Sequence, residues 1–413
     1  MDKKLEIDGV FEEALPVLNQ IVEAGFEAYF VGGSVRDRLL NLEVNDVDIA
    51  TSAQPHEIKK IFTRTVDVGI EHGTVMVLVD DISYEITTFR TESTYKDFRR
   101  PDSVTFVRSL NEDLKRRDFT MNAIAMDAEG YIIDPFAGIK DLSAGIIRAV
   151  GDPHERFKED ALRMMRAVRF SAQLDFEIEA ETQVSIKENA PLLEKIAIER
   201  IQVEFEKLLM GTWHSNGLAA MIQTRLYLYC PELANKKAAL VSLIQDESKF
   251  AHVRQAWAFL LYKVDYYAPA DSFNVRKFLK SWKLSNKLMN QAVMIFNALK
   301  QRIANKGLDE WEVFYLGEKF AIEVEALVEH LQEIPNFTKI STIYENLPIQ
   351  EKDELALTGY DLMNATEVKP GRWMSEALEA ALQAVVYSEI QNDKENIIKW
   401  LIEKNMVPGL NNE

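Results

Sequence analysis

The sequence has a single cysteine, Cys230, in 413 residues. One cysteine excludes an internal disulfide and any zinc site built from several thiolates, and it fits a reducing compartment. No apolar run approaches the roughly eighteen residues that a membrane-spanning helix needs. The N-terminal residues, MDKKLEIDGVFEEAL, lack the apolar core of a signal peptide. We therefore expect a cytoplasmic protein that does not enter a membrane.

Histidine and positive charge are also scarce. The six histidines show no spacing typical of metal ligands. Lysine and arginine number 48 against 66 aspartates and glutamates, which gives a formal net charge of -18. A chain this acidic is not a general nucleic-acid-coating protein, so any RNA ligand would have to dock on a locally basic surface.

The distribution of glycine indicates how the chain is organised. Ten of the 17 glycines lie in the first 151 residues, where short apolar runs alternate with turns. Beyond about residue 155, amphipathic helical patterns follow one another without a convincing pair of strands. The sequence therefore predicts an α/β N-terminal head, with a mixed sheet and helices, followed by an all-α remainder.

The stretch from Phe30 to Ala50 predicts a strand, a glycine turn, a short helix and a second strand. The apolar run 28–31 stops at Gly32-Gly33, and Ser34 occupies the expected N-cap position of the helix. Two adjacent glycines leave backbone N–H groups uncovered at a helix N-terminus, which favours an anionic phosphate. The turn is not a Walker loop, because GxxxxGK[ST] does not occur in it.

Two carboxylates follow this turn. Asp46 and Asp48 lie two residues apart in DVDIA, so on a strand their side chains point to the same face. Neighbouring carboxylates repel each other unless a divalent cation offsets the repulsion, and hard oxygen ligands suit Mg²⁺. Taken alone, a glycine pair is usually only a turn and DxD is usually surface polarity. Their order and spacing together favour a nucleotide site with Mg²⁺ as its cofactor.

A further acid lies in the strand predicted over residues 84–90. Glu85 is surrounded there by β-branched residues, where a lone acid is awkward unless it faces a cation. It is the natural third carboxylate beside the two aspartates, and a surface acid on an edge strand is the alternative.

Residues 159–170, EDALRMMRAVRF, predict one helix with an apolar face and a charged face. The charged face carries Asp160, Arg163, Arg166 and Arg169, and a solvated surface is the ordinary explanation for such a pattern. Beside a nucleotide site, an aspartate acceptor next to an arginine donor fork matches the pairing edges of cytosine and adenine. Uracil and guanine would leave buried groups unpaired, at a cost of about 1–3 kcal/mol each.

These motifs resemble those of the class II tRNA nucleotidyltransferases and the related bacterial poly(A) polymerases. GGSVRDRLL…DVDIA is similar to the first motif of that family. Further matches are EHGTV, RRDFTMNA, DPFAGIKDL, the ERIxxE pattern near residue 200, and LTGYDLM…KPGRWMSEAL, which is similar to the C-terminal domain of the Gram-positive-type members. The resemblance implies a catalytic head (1–147), a helical neck that recognises the base (148–211), a helical body (212–270) and a helical tail that binds tRNA (271–413).

The resemblance also implies the reaction. A member of this family adds or repairs the 3′-terminal CCA of tRNA from CTP and ATP, without a nucleic-acid template, using two Mg²⁺ ions. Asp46 and Asp48 would hold the metal, with Glu85 assisting. Asp118 and Asn122 would shape the sugar pocket, although Asp118 could instead be a helix N-cap. The residues that would bind the nucleotide are Gly33, Arg36, Arg117, Asp160, Arg163, Arg166 and Arg169.

Within that set the roles differ. Asp160 and Arg163 are the expected base readers, whereas Arg166 and Arg169 would hold the triphosphate or the incoming RNA end. Glu199, Arg200 and Glu204 of the ERIxxE pattern would buttress the base-reading helix.

Two further segments carry expectations. Residues 91–106 form a long polar loop containing Asp97 and Arg100, and such loops are more often functional than idle. The resemblance connects this loop with addition of the terminal adenosine. Residues 272–308 contain eight lysines and arginines and no acid, with Phe278 and Trp282 interleaved. This favours a local surface for tRNA over an ordinary solvated helix.

Two other functions remain open at this point. A bacterial poly(A) polymerase would share the head motifs, but the long loop and the Gram-positive-type C-terminal motifs favour CCA addition. A catalytically dead RNA-binding adaptor is disfavoured by the intact Asp46 and Asp48. The sequence leaves both a monomer and a homodimer open.

Overall fold

The computed structural model describes residues 3–92, 104–246, 249–269, 272–365 and 369–408. Asp97 and Arg100 of the predicted adenosine-addition loop lie outside these ranges. The described ends of the predicted loop 91–106 are not loop, because Arg90–Glu92 and Val104–Phe106 pair as two short antiparallel strands. The chain folds into two compact units, one of residues 1–249 with 280–283 and one of residues 250–279 with 284–413. No helix in the described ranges is long and apolar enough to cross a membrane.

The strands and the helices up to residue 244 come first, in chain order. The strands are β1 Ala28–Val31, β2 Asp48–Thr51, β3 Thr65–Gly69, β4 Thr74–Val79, β5 Ile82–Thr88, β6 Arg90–Glu92, β7 Val104–Phe106, β8 Ala125–Met126, β9 Ile132–Ile133, β10 Ile146–Ile147 and β11 Glu177–Ile178. The helices up to residue 244 are α1 Val10–Glu23, α2 Gly33–Leu39, α3 Pro55–Ile61, α4 Leu110–Lys115, α5 Gly138–Ala144, α6 Pro153–Glu159, α7 Leu162–Leu174, α8 Ala180–Asn189, α9 Ile198–Leu209, α10 His214–Gln223 and α11 Lys237–Ile244.

The remaining helices are α12 Val253–Tyr266, α13 Val275–Ser281, α14 Asn286–Asn305, α15 Glu310–His330, α16 Phe337–Glu345, α17 Gly359–Ala365, α18 Arg372–Val386 and α19 Lys394–Glu403. Short 3₁₀ turns cover Ile70–His72, Thr120–Asn122, Ala190–Lys195, Leu226–Tyr229 and Lys352–Glu354. The predicted fold class, an α/β head followed by a helical remainder, is confirmed.

A mixed sheet organises the head. Its strand order is β3-β4-β5-β2-β1-β8-β9, in which β2 and β5 run parallel and the other neighbours pair antiparallel. Helix α1 covers β1 with a buried apolar stripe, and the ring of Phe11 meets that of Phe30 edge-on at 5.1 Å. The strand that begins at Asp48 therefore lies near the middle of the sheet, between β5 and β1.

The glycine turn differs from the prediction in one respect. Strand β1 covers the predicted residues, but helix α2 begins at Gly33 with Gly32 as its N-cap, so the assignment of Ser34 as N-cap is wrong. Gly32 has a φ of 75°, a conformation that glycine adopts without strain. Ser34 is buried in the first turn, where its hydroxyl donates to the Val31 carbonyl at 3.1 Å.

The helix predicted from residue 159 is in fact two helices. Helix α6 ends at Glu159, Asp160 has an extended backbone with φ −138° and ψ 102°, and α7 begins at Leu162. The Asp160 carboxylate accepts a hydrogen bond from the Leu162 N–H at 3.0 Å, which stabilises the break. The apolar periodicity continues across a break this short, so the sequence pattern did not reveal it. Strand β11, two residues paired with β10, was also missed because it is too short to leave a pattern.

The second unit is helical and has its own apolar core between α15, α17, α18 and α19. Two features of the predicted basic segment need correction here. Arg302 is 4% exposed and forms a buried ion pair with Glu325 at 2.6 Å, so it does not belong to a surface. Phe278 and Trp282 are also buried, so neither ring is available to stack on RNA.

Trp282 instead supports the first unit. The segment 280–283 belongs to that unit, and the indole stacks on Phe205 of helix α9 with the ring centroids 4.5 Å apart and the planes at 21°. Phe205 follows Glu204, which pairs with Arg169 of helix α7. Burial of Trp282 therefore fixes the helix that braces the arginine-bearing helix.

We predict that Trp282→Ala will lower the free energy of unfolding by about 3–5 kcal/mol, because it removes a fully buried aromatic side chain. Trp282→Phe will restore part of the loss, since a ring can still stack on Phe205. Trp213→Ala is the control: Trp213 is 40% exposed, so its truncation removes less buried area and should cost clearly less than Trp282→Ala. Equal urea midpoints for parent and Trp282→Ala would contradict the role of this contact.

Candidate active site

The carboxylates of the site are borne by the two parallel strands. Asp48 is the first residue of β2 and lies in register with Glu85 of β5. Asp46 precedes the strand, so the prediction that both aspartates lie on one strand is wrong. The Asp48 side chain opens to the cavity, yet the surrounding protein displaces enough water to raise its pKa. Arg117 opposes this rise, and the negative charges of Glu85 and Asp46 add to it. The structure therefore brings the three predicted acids into electrostatic contact.

This charge cluster fits a divalent cation. Within the described ranges, no three or more His, Cys, Asp or Glu side chains are already arranged to enclose a metal. Mg²⁺ characteristically takes one or two protein carboxylates and completes its shell with water and substrate phosphate oxygens. Asp48 with Asp46 beside it matches that donor set. Burial is the main cause of the raised pKa of Asp48, and the repulsion from Glu85 and Asp46 that adds to it is what a cation would relieve.

Gly32 permits a close approach between the turn and an arginine. A Cβ atom at this position would lie 2.9 Å from the Arg117 Nη1 and 3.8 Å from the Asp48 carboxylate. Arg117 is fixed by Asp113, which is buried and also binds Arg116. Burial alone would raise the pKa of Asp113, but the two guanidiniums outweigh it and lower that pKa. The Arg117 charge is thus held directly beside the carboxylates.

Asp118 connects the head with helix α7. Its Oδ1 accepts hydrogen bonds from the Phe119 N–H and the Asn122 side chain, at 2.8 and 3.0 Å, and its Oδ2 binds Arg166 at 2.6–2.7 Å. Burial would raise the pKa of Asp118, but Arg166 and Asn122 lower it far below its usual range. Asp118 does not cap the following 3₁₀ turn, whose N-cap is Phe119, so that alternative for Asp118 is wrong.

The same network continues to Arg36 of helix α2. Arg36 donates to the Asn122 carboxamide oxygen at 2.7 Å and makes a two-pronged contact with Asp37 at 2.8 Å. On the other side, Arg169 pairs with Glu204 at 2.9 Å. Burial lowers the pKa of Arg169 to about 10, with Glu204 opposing the change, so Arg169 remains charged at neutral pH.

Phe170 lies under three of these cations. The guanidinium carbons of Arg169, Arg36 and Arg166 are 3.9, 5.0 and 5.4 Å from the centre of its ring. The ring is 3% exposed and meets Phe119 edge-on at 5.9 Å. The negative face of an aromatic ring attracts cations, so Phe170 stabilises three like charges that would otherwise repel each other.

The two expected base readers are both anchored. Arg163 is buried and donates to Glu159 at 2.7 Å and to the Arg116 and Arg156 carbonyls at 2.8 and 3.1 Å. The Asp160 carboxylate is held by Arg200 of the ERIxxE helix at 2.8 Å. Neither side chain swings freely, so both are set in place before any ligand arrives.

One cavity of about 600 Å³ collects most of these side chains. The predicted residues that line it are Gly33, Arg36, Asp48, Arg117, Asp118, Asn122, Asp160, Arg163, Arg166, Arg169 and Arg200, whereas Asp46 and Glu85 are not among the lining residues. The sequence did not single out several other lining residues, among them Thr74, Thr87, Arg90 and Phe170. Phe170 lies inside the quoted segment 159–170 and could have been chosen from its neighbours. Thr74 and Thr87 look like ordinary strand residues, so nothing in the sequence distinguished them.

Comparison with known proteins agrees with this arrangement. Residues 28–148 match the family model of the poly A polymerase head domain, 175–237 match a probable RNA and SrmB-binding site of polymerase A, and 248–401 match a putative second domain of tRNA nucleotidyltransferase. A CCA-adding enzyme of Enterococcus faecalis is 50% identical over 402 residues, covering 96% of this chain and 97% of its own. One of Geobacillus sp. is 45% identical and covers 97% and 99%.

A solved structure is similar over the same length. The CCA-adding enzyme of Bacillus stearothermophilus in complex with CTP superposes with a TM-score of 0.89 at 42% identity, covering 96% of this chain and 98% of that one. The chain therefore belongs to the poly(A) polymerase and tRNA nucleotidyltransferase family, on its CCA-adding branch. The predicted family and enzyme class, a nucleotidyltransferase, are confirmed.

We predict that Phe170→Leu will lower kcat/KM for CTP by a factor that corresponds to about 1–2 kcal/mol, because the arginines lose their shared ring. Phe170→Tyr keeps the ring and should retain most of the activity. Phe157→Leu is the matched control, since Phe157 is also buried but has no arginine over it among the contacts described. An equal loss for the Phe157 and Phe170 variants would show that only packing is involved.

Asp118 gives a prediction on pH. Because its native pKa is depressed, its contribution to stability is present above the unfolded pKa of about 3.9 and is lost as pH falls toward the native pKa. Asp118→Asn should therefore cost about 3–5 kcal/mol at pH 7, since Arg166 loses its buried partner. The difference between parent and variant, measured by denaturant unfolding, should shrink between about pH 4 and pH 3. A constant difference over that range would contradict the assignment.

Proposed function

We propose that this protein adds or repairs the 3′-terminal CCA of tRNA from CTP and ATP, without a nucleic-acid template, and releases pyrophosphate. The observation that carries the proposal is the single cavity in which Asp48, Arg117 and the Asp118–Arg166 pair meet. The proposal is also supported by similarity, over nearly the full length, to enzymes named for CCA addition. The substrates and the one buried, free cysteine, Cys230, suit the reducing cytoplasm.

Asp46 and Asp48 are the metal-binding acids in this proposal, with Glu85 assisting from the neighbouring strand. When bound there, Mg²⁺ supplies the positive charge that lowers the pKa of a coordinated hydroxyl and neutralises phosphate oxygens. Arg117 holds its charge beside the same carboxylates and stabilises the negative charge of the nucleotide when it arrives.

Gly33, Arg36 and Arg117 hold the triphosphate. Arg36 is pre-oriented by Asp37 and Asn122, so little side-chain freedom is lost when a phosphate binds. Asp118 and Asn122 shape the sugar pocket, since they are mutually hydrogen-bonded at the junction between the turn and helix α7.

Asp160 and Arg163 read the base. Their anchoring by Arg200 and by Glu159 with two carbonyls supports this role, because a rigid donor–acceptor pair penalises the wrong edge instead of adapting to it. Arg166 and Arg169 hold the triphosphate or the incoming RNA end, backed by Asp118 and Glu204. The loop with Asp97 and Arg100 serves addition of the final adenosine.

The division of labour follows the predicted boundaries: head 1–147, neck 148–211, body 212–270 and tail 271–413. The tail binds tRNA through exposed cations of the segment 272–308. Arg276, Lys277, Lys280, Lys283 and Lys287 all have exposed side chains, which supports such a surface without Arg302. Nothing in this mechanism requires a second copy of the chain, so a monomer and a homodimer are both compatible with it.

The test is incorporation by the purified protein. A tRNA lacking its last three nucleotides is incubated with each nucleoside triphosphate alone and with CTP and ATP together. The proposal predicts extension by two residues with CTP alone and by three with both, and then no more. Long adenosine tails from ATP alone would favour poly(A) polymerase, and no extension under any condition would leave an RNA-binding adaptor.

The exposed lysines give a further prediction. Changing Lys280, Lys283 and Lys287 together to glutamine should weaken tRNA binding and flatten its salt dependence by up to about 0.9 log units per lost contact, because fewer counterions are released. Single-turnover incorporation at saturating tRNA should be nearly unchanged. The control replaces three other exposed lysines with glutamine, namely Lys352, Lys399 and Lys404, and so makes the same change in net charge. If both triple variants lose tRNA affinity equally, the loss is due to net charge and not to contacts made by Lys280, Lys283 and Lys287.

A further inference from the structure

Thr74 and Thr87 form a hydroxyl pair on the floor of the active-site cavity. Their strands β4 and β5 pair antiparallel with these two residues opposite each other, and their hydroxyl oxygens are 3.1 Å apart. Both line the same cavity as Asp48 and the arginines. Neither belongs to the residues that the proposed function uses.

The strand order places this pair on a definite side of the carboxylates. Across the sheet, the order β4-β5-β2-β1 gives Thr74, then Glu85 and Thr87, then Asp48, then the strand that leads into Gly32 and Gly33. Thr87 is two residues beyond Glu85, about 7 Å along the strand, and neighbouring strands are about 4.8 Å apart. The hydroxyls thus lie within one nucleotide's reach of the acids.

The phosphate-binding groups lie on the other side. Gly32 and Gly33 follow β1, and Arg117 approaches Asp48 from the Gly32 side. Nucleotidyl transfer is an in-line displacement, in which the attacking oxygen and the leaving oxygen lie on opposite sides of the phosphorus. If pyrophosphate leaves toward β1, the attacking hydroxyl must come from the side of β5 and β4.

We propose that Thr74 and Thr87 seat the 3′-terminal ribose of the RNA acceptor. Whichever hydroxyl donates to the other, the accepting hydroxyl keeps its own proton, so the pair can both donate to and accept from ribose oxygens. Arg90 lines the same cavity and is held by the His72 carbonyl, so its positive charge would suit the phosphate that precedes the terminal ribose.

The step itself balances without a further reactant. The 3′-hydroxyl oxygen of the RNA forms a bond to the α-phosphorus of the nucleotide, the bond from that phosphorus to the bridging oxygen breaks, pyrophosphate leaves, and the hydroxyl proton passes to solvent. The threonines take no part in proton transfer. They are positioning residues that direct the attacking oxygen.

The experiment uses the full chain and removes the hydroxyls with the isosteric substitution Thr74→Val, Thr87→Val, singly and together. The acceptor is a tRNA lacking only its terminal adenosine, with ATP as the second substrate. We expect kcat/KM for tRNA to fall about two- to tenfold per lost hydrogen bond. The Kd for ATP, measured by equilibrium dialysis without tRNA, should stay the same. Thr87→Ser, which restores a hydroxyl, should recover most of the loss.

The control is Ser83→Ala, which removes a hydroxyl from the same strand outside the cavity and should change neither quantity. Thermal unfolding of every variant separates folding defects, and Thr87→Ala replaces Thr87→Val if valine lowers the Tm. A higher Kd for ATP with unchanged kcat/KM for tRNA would overturn the inference and assign the threonine pair to nucleotide binding. No change in either quantity would overturn it as well.

This inference rests on the proposed function, but the two fail differently. If the parent protein extends no tRNA, the proposed function is wrong. If the parent extends tRNA normally and the threonine variants match it, only the assignment of Thr74 and Thr87 to the acceptor ribose is wrong.

Discussion

The buried carboxylate of Asp118 is the interaction on which the site depends. It binds Arg166 with one oxygen and Asn122 with the other, so a residue that follows the head's α4 is joined to the helix that follows the head. Removing one partner of a buried ion pair leaves an uncompensated charge, which typically costs 3–5 kcal/mol in comparable cases. Arg36 joins through Asn122, and Phe170 lies under Arg36 and Arg166. Arg36 and Arg166 therefore belong to one connected network.

A second constraint comes from the position of β2 in the sheet. Because this strand has a parallel neighbour on one side and an antiparallel neighbour on the other, Asp48 lies between Glu85 and the glycine turn. The glycine turn lies on the β1 side of Asp48, and the hydroxyl pair of Thr74 and Thr87 lies on the β5 side. A reaction between two substrates needs such a division, since each substrate must reach the same carboxylates from its own direction.

The sequence predicted the individual elements of this site better than the connections between them. Strand β1 and the acids of β2 and β5 were found because alternation and the DxD pattern are local signals. The break at Asp160 was missed, since a two-residue interruption does not disturb helical periodicity.

Long-range packing explains the other misses. Trp282 was grouped with a basic surface, but the tertiary structure buries it on Phe205, 77 residues earlier in the chain (282 − 205 = 77). Burial of Arg302 by Glu325 was hidden for the same reason. The threonine pair depends on strand register, which depends on pairings that one sequence does not display.

We expect the head and helix α7 to form one nucleotide site through Asp118 and Arg166. A double-mutant cycle tests it directly: the Kd for CTP is measured for the parent, Asp118→Asn, Arg166→Gln and the double variant. Contacting residues in one network usually show coupling of about 0.5–3 kcal/mol. We expect a coupling energy of at least about 1 kcal/mol. The Kd for CTP of the double variant should be little higher than that of the single variant that binds CTP more weakly. Additive losses, with a coupling energy of zero, would contradict the account.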